Sequence, residues 1–103
     1  MKVEIEKQDA EHLKVSGTID VDNAVDLKAE GEALLKSCGD MVHVDLSGVK
    51  QSSSVGVSLL LCWARAAKLL GKDIQYHHMP GKMFDVARVS GLDDVLPIVS
   101  NGD

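Results

Sequence analysis

The side chains able to do chemistry fall into three groups. These are the serines of QSSSVGVSLLL (51–61), four histidines (His12, His43, His77, His78) and two cysteines (Cys38, Cys62). A serine nucleophile requires a base within hydrogen-bond reach and donors for the oxyanion. GVSLL at 56–60 supplies only the first half of a G-x-S-x-G elbow and lacks the second glycine. His77 and His78 are adjacent in a stretch that reads as a strand, so they are expected to face opposite sides and not to share a metal. His43, between Val42 and Val44, reads as a hydrogen-bonded core or edge histidine. Asp20 and Asp22 open like a calcium loop, but Val25 and Gly31 stand at its sixth and twelfth positions. Neither G-x-x-x-x-G-K-[ST] nor G-x-G-x-x-G is present, so no phosphate loop is expected. The two cysteines lack CxxC spacing and read as small hydrophobes of a reduced compartment. The expectation is a protein without enzyme activity, cofactor or metal.

The elements that position these residues follow from periodicity. Val3 and Ile5 alternate with Lys2, Glu4 and Glu6, and Leu13 and Val15 repeat the pattern after a turn at 8–11, which predicts a hairpin. Asp20 or Asp22 is the expected cap of a helix whose apolar face carries Val21, Ala24, Val25, Leu27, Leu34 and Leu35. Gly39 is the expected C-cap. MVHVDL (41–46) reads as a central strand. A second helix follows the serines and stops at Gly71, and 74–78 forms another strand. Pro80 and Gly81 introduce a third helix over 82–89, with a last turn or short helix in 92–99. Strands alternating with helices after a hairpin predict an α/β fold, a mixed sheet with helices packed on it, in one domain over 1–103.

Totals narrow the function classes. A net charge of −5 and 3% aromatic residues disfavour nucleic acid, which needs basic surface and stacking platforms. The first residues, MKVEIEKQDAEH, lack the apolar core of a signal peptide. The apolar run at 55–64 meets Arg65 and Lys68 well short of the ~18 residues of a membrane span. A cytoplasmic chain without direct membrane insertion is expected.

The second helix puts Ser54, Ser58, Leu61, Arg65, Lys68 and Lys72 on one stripe, with Val55 and Val57 at its shoulders. Trp63 lies opposite, flanked by Gly56, Leu59, Leu60, Ala67 and Leu70, and reads as core. One of Ser52, Ser53 or Ser54 suffices to cap the helix, worth about 1 kcal/mol. The stripe of small and apolar groups with a basic end suits a protein partner, and an ordinary solvated face is the competing reading.

Three stretches in order resemble the STAS domain, the fold of bacterial anti-sigma-factor antagonists and of sulfate-transporter tails. They are SGTIDVDNAVDLKAE (16–30), VHVDLSGVKQSSSVGVSLLL (42–61) and MFDVARVSGLDDVLPIV (83–99). The stand-alone form with a DVLP ending resembles the STAS subunits of Mla (maintenance of lipid asymmetry) ABC phospholipid transporters. That resemblance implies an accessory subunit that binds the cytoplasmic ATPase of the transporter at the inner membrane. It places the partner-facing hydroxyl at Ser54 and the motif glycine at Gly56. The implied contact surface is Ser52, Ser53, Ser54, Val55, Gly56, Ser58, Leu61 and Arg65. The alternative it implies is an anti-sigma-factor antagonist that binds an anti-sigma kinase, with Ser54 or Ser53 as phosphate acceptor. Two positions depart from the pattern: Ser53 replaces the motif aspartate, and Val55 occupies the usual acceptor position. Both favour a constitutive contact over a phosphoswitch.

Overall fold

The computed structural model describes residues 3–51 and 54–99. Strands β1 (Val3–Asp9) and β2 (His12–Thr18) form the hairpin. Then come α1 (Ala24–Ser37), β3 (Met41–Gln51), α2 (Ser54–Leu69), β4 (Asp73–His77) and α3 (Gly81–Val89). The sheet has the order β1-β2-β3-β4, antiparallel at the hairpin and parallel in the other two pairs. The strands advance one position each in the same direction. Right-handed crossovers therefore put α1 and α2 on the same face of the sheet. Alternation confirms this sidedness: Leu13, Val15, Val42, Val44, Ile74 and Tyr76 are buried under the helices, while His12, Lys14, His43, Asp45, Gln75 and His77 occupy the other face.

The period of two slips once. Leu46 and Val49 are both buried, so the chain gains a residue at Ser47–Gly48, where the pairing with β2 also shifts. The Ser47 amide donates to the Asp45 carboxylate at 2.8 Å, which fixes the kink. A Cβ on Gly48 would stand 2.6 Å from Ser16 Oγ and 3.1 Å from the Val15 carbonyl oxygen, so a larger residue would require Ser16 and its strand to shift. The strand expected to end at residue 46 thereby runs on to Gln51.

Helix α1 starts later than expected, and its core face differs. A turn at 21–23, held by Asp20 Oδ1 accepting from the Asp22 and Asn23 amides, precedes Ala24. Leu27, Gly31 and Leu35 form the buried stripe, leaving Val21 at 71% and Val25 at 74% exposure. Gly31 belongs to that stripe because the Trp63 ring lies against it: a Cβ there would be 2.3 Å from the indole. Trp63 is buried as expected, and its Nε1 donates to the Lys28 carbonyl at 3.2 Å. Val57 is also buried, whereas Leu70, expected in the core, is 40% exposed just past the end of α2.

Helix ends show two solutions. After α2 and α3 the chain turns through Gly71 (φ 72°) and Gly91 (φ 75°), and the amides of Lys72 and Leu92 return to Ala67 and Ala87 carbonyls, a Schellman pattern. Gly39 plays no such part: Cys38 is extended and caps with a bond to the Leu35 carbonyl. The other carbonyls at this end are shared out: Leu34 accepts from the Ser37 hydroxyl, Ser37 from Lys7 Nζ, and three more from Lys72. Its ammonium, expected on the solvent stripe of α2, donates to Leu35 at 2.7 Å, Cys38 at 2.6 Å and Lys36 at 3.3 Å. Past α3 the chain makes a turn at 93–95 and then a parallel bridge from Ile98 to Tyr76, which covers the outer edge of β4.

Two substitutions test this packing. Gly31→Ala is expected to destabilise by about 1–3 kcal/mol from overpacking against the indole, outweighing a gain in helix propensity of up to about 1 kcal/mol. Lys72→Met, which removes the cation from the carbonyls of residues 35, 36 and 38, is expected to cost about 1–2 kcal/mol. Urea unfolding of both variants measures this; an unchanged midpoint for either refutes the corresponding contact.

Candidate functional site

Parallel pairing fixes where helices begin. The ends of β2 and β3 are level, Thr18 opposite Gln51, so α1 and α2 both start from this edge of the sheet. This is the edge at which α/β sheets commonly bind ligands and partners. At it stand Ser54 and Ser58, both exposed on α2, and the exposed Val21 and Val25 of the α1 approach. Apolar side chains open to solvent gain from being covered.

The expected contact residues are not equivalent. Ser54 is the first residue of α2. Ser52 and Ser53 lie outside the described residues, and the expectation that one of them caps the helix lies there too. Ser58 and Arg65 are exposed and Val55 is half-buried. Leu61, expected on the solvent stripe, is half-buried and packs against the core cluster. Gly56 is buried, so it supplies close packing and not a surface. Sequence reasoning missed Val21 and Val25 because it assigned them to the core; the signal was the pair Asp20 and Asn23, whose mutual hydrogen bonds form a turn that ends directly before the helix.

The other face of the sheet carries a second constellation. His12 pairs with His43, and Asp45 with His77, across neighbouring strands. The His12 and His43 rings stack at 5.0 Å, and His43 Nδ1 lies 2.9 Å from His77 Nε2 in a hydrogen bond. His78 follows the strand with φ 58°, a left-handed turn that breaks the alternation. It therefore lines the same hollow as His77, with ring centroids 6.3 Å apart, against the expectation that the two face apart. Partial desolvation holds the His77 imidazole below its ordinary pKa, helped by His43 and His78 and opposed by Asp45. Burial pushes Asp45 the other way but is outweighed by its bonds from Ser47, so its carboxyl sits below the usual range. Asp9 is likewise lowered, by the Glu11 amide and by His12, whose Nδ1 is 2.7 Å away.

The remaining reactive groups are structural. Cys38 is buried, and burial raises its thiol pKa, which disfavours the nucleophilic thiolate. The Tyr76 phenol is buried and donates to the Leu60 carbonyl at 2.5 Å, tying β4 to α2. Among the described residues no helix is long and apolar enough to cross a membrane.

Comparison with known proteins gives this arrangement its relatives. No curated protein matches the sequence. A chain of the Acinetobacter MlaFEDB complex, in an ATP-bound conformation, superposes with a TM-score of 0.76 at 26% identity, over 85% of this chain and 93% of that one. An anti-sigma factor antagonist from Mycobacterium paratuberculosis gives 0.74 at 26% identity, over 99% and 87%. The unphosphorylated anti-sigma factor antagonist SpoIIAA gives 0.72 over 97% and 90% at 14% identity, a likeness of fold alone. The four-stranded mixed sheet, its three helices and a match of residues 3–99 to the MlaB STAS-domain model agree. The chain belongs to the STAS domain family.

Proposed function

We propose that this STAS domain is a non-enzymatic accessory subunit that docks on the cytoplasmic ATPase of an ABC transporter and supports phospholipid transport for outer-membrane lipid asymmetry. The observation that carries this reading is the sheet edge where α1 and α2 begin. It presents Ser54, Ser58, Val21 and Val25 together, with Arg65 further along the exposed face of α2. Its small hydroxyls leave room for a partner's backbone, and its valines supply apolar area. The 26% identity to a chain of the MlaFEDB complex supports an ATPase as that partner. On this reading the chain is cytoplasmic and reaches the inner membrane only through the transporter.

An equal identity to an anti-sigma factor antagonist supports a second reading, in which the same edge binds an anti-sigma kinase and Ser54 or Ser53 accepts phosphate. A phosphate at the start of α2 would meet oriented amides and the positive end of the helix dipole. It would also place roughly −1.5 to −2 charges beside Val21 and Val25, against the burial that docking requires. Val55 at the usual acceptor position favours the transporter reading.

Co-expression with the ATPase subunit of the host's phospholipid transporter separates the two. A stoichiometric complex is expected without added nucleotide, retained by Ser54→Ala and lost by Ser54→Arg at unchanged thermal stability. Absence of a complex with the wild-type chain sinks the transporter reading. A serine-borne phosphate in the intact mass after treatment with an anti-sigma kinase and ATP would establish the second.

A further inference from the structure

Every histidine of this chain lines one hollow of about 330 Å³ on the sheet face away from the helices, joined there by Gln8 and Asp45. Two of these groups compete for His77. His43 Nδ1 lies 2.9 Å from His77 Nε2 in a hydrogen bond. Asp45 is the residue opposite His77 in the β3–β4 pairing, on the same face of the sheet. The two partners require different protonation states. A bond between imidazole nitrogens needs a proton on one and a lone pair on the other. It holds when both rings are neutral, and holds again when one is an imidazolium that donates to the other. Once both rings are charged no lone pair remains, and like charges repel. A carboxylate, by contrast, bonds best to the charged ring.

We propose that the His43–His77 pair is a two-step proton switch: a first proton is held with the bond intact, and a second breaks it and turns His77 to Asp45. Both protons come from solvent. The surroundings decide which ring changes partner. Partial desolvation, with His43 and His78, opposes charge on His77. His77 is therefore the neutral acceptor after the first proton, carrying its own hydrogen on Nδ1. The second proton goes to its Nε2, the atom that faces His43. Asp45 is ionised and able to receive the charged ring. Its carboxyl sits below the usual range, and its bonds from Ser47 leave capacity among the roughly four acceptor sites of a carboxylate. The other charges of this face surround the pair. His12 stacks on His43 at 5.0 Å and is held by Asp9 at 2.7 Å. Lys14 of β2 is opposite Asp45, as the competing cation for that carboxylate, and is itself opposite Glu6 of β1. His78 follows His77 with ring centroids 6.3 Å apart. The register of β3 and β4 holds both backbones, so the change of partner is a rotation of the His77 ring.

The test is a pH titration of the untagged, full-length chain, labelled in its ring nitrogens and followed by NMR. The coupling carried across the His43–His77 bond is expected at neutral pH, with His77 in its Nδ1–H form. It is expected to survive the first titration step of the pair. It then vanishes in the second, at a midpoint lower by at least about one pH unit, tenfold in proton affinity. Asp45→Asn keeps a carbonyl oxygen for the Ser47 amide and removes the charge. It is expected to lower the second midpoint by about one further pH unit. His43→Gln, which removes a like charge, is expected to raise the His77 midpoint. The proposal is overturned if the coupling is absent at neutral pH, if it is lost in the first step, or if both rings titrate at one midpoint. Those readouts depend on no variant's folding. An unchanged second midpoint in a folded Asp45→Asn chain overturns Asp45 as the new partner.

Discussion

The contact on which the rest of the molecule depends is the Trp63 indole laid against the backbone of α1 at Gly31. It draws two helices together at a distance that any side chain at residue 31 would prevent. The indole also returns a hydrogen bond to the Lys28 carbonyl, so its one polar atom is satisfied in a buried place. With α1 locked to α2 in this way, the rotation of α1 is set. Leu27 and Leu35, one turn to either side of Gly31, then fall on the sheet, and Val25 is carried out to solvent. The exposure of Val25 at the start of α1 is thus a consequence of a packing constraint two turns away.

A second constraint lies in β3. The extra residue at Ser47–Gly48 restores Val49 to the core after the kink and lets the strand continue to Gln51. Without that slip the strand would present Val49 to the open face, and α2 would start from a different height on the sheet. Gly48 matters because the Ser16 hydroxyl and the Val15 carbonyl oxygen of the neighbouring strand come within 2.6 and 3.1 Å of where its Cβ would be. Close approach and parity correction occur at the same residue pair.

The STAS fold was legible in the sequence wherever one element carries its own signal. The hairpin, the strand at 41–46, the core position of Trp63 and the glycine ends after α2 and α3 all follow from local pattern. Errors arose where the deciding partner is distant in sequence. Lys72 looks like the last member of a basic stripe, but it serves carbonyls at residues 35, 36 and 38. Gly39 looks like a helix cap, yet those carbonyls already have their donors. Gly31 looks like a helix-weakening residue, and only the indole explains it. The candidate contact residues divided in the same manner: Ser54 and Ser58 are exposed as a helical stripe requires, while the burial of Leu61 depends on what packs beside α2.

Histidine convergence could not be read from sequence for a related reason. Strand register decides that His12 lies opposite His43, and a one-residue shift would send each ring to the helix-covered face. The same register separates the histidine hollow from the edge where α1 and α2 begin. His43 and Gln51 lie on one strand, eight residues apart, or roughly 26 Å at a rise of about 3.3 Å per residue. The rings point away from the helices, whereas Ser54 and Val25 belong to the helical layer. The residues lining the hollow and those at the edge do not overlap. Strands β2 and β3 both run from the hollow to that edge, and only β3 carries the extra residue, at the kink between Asp45 and Gly48.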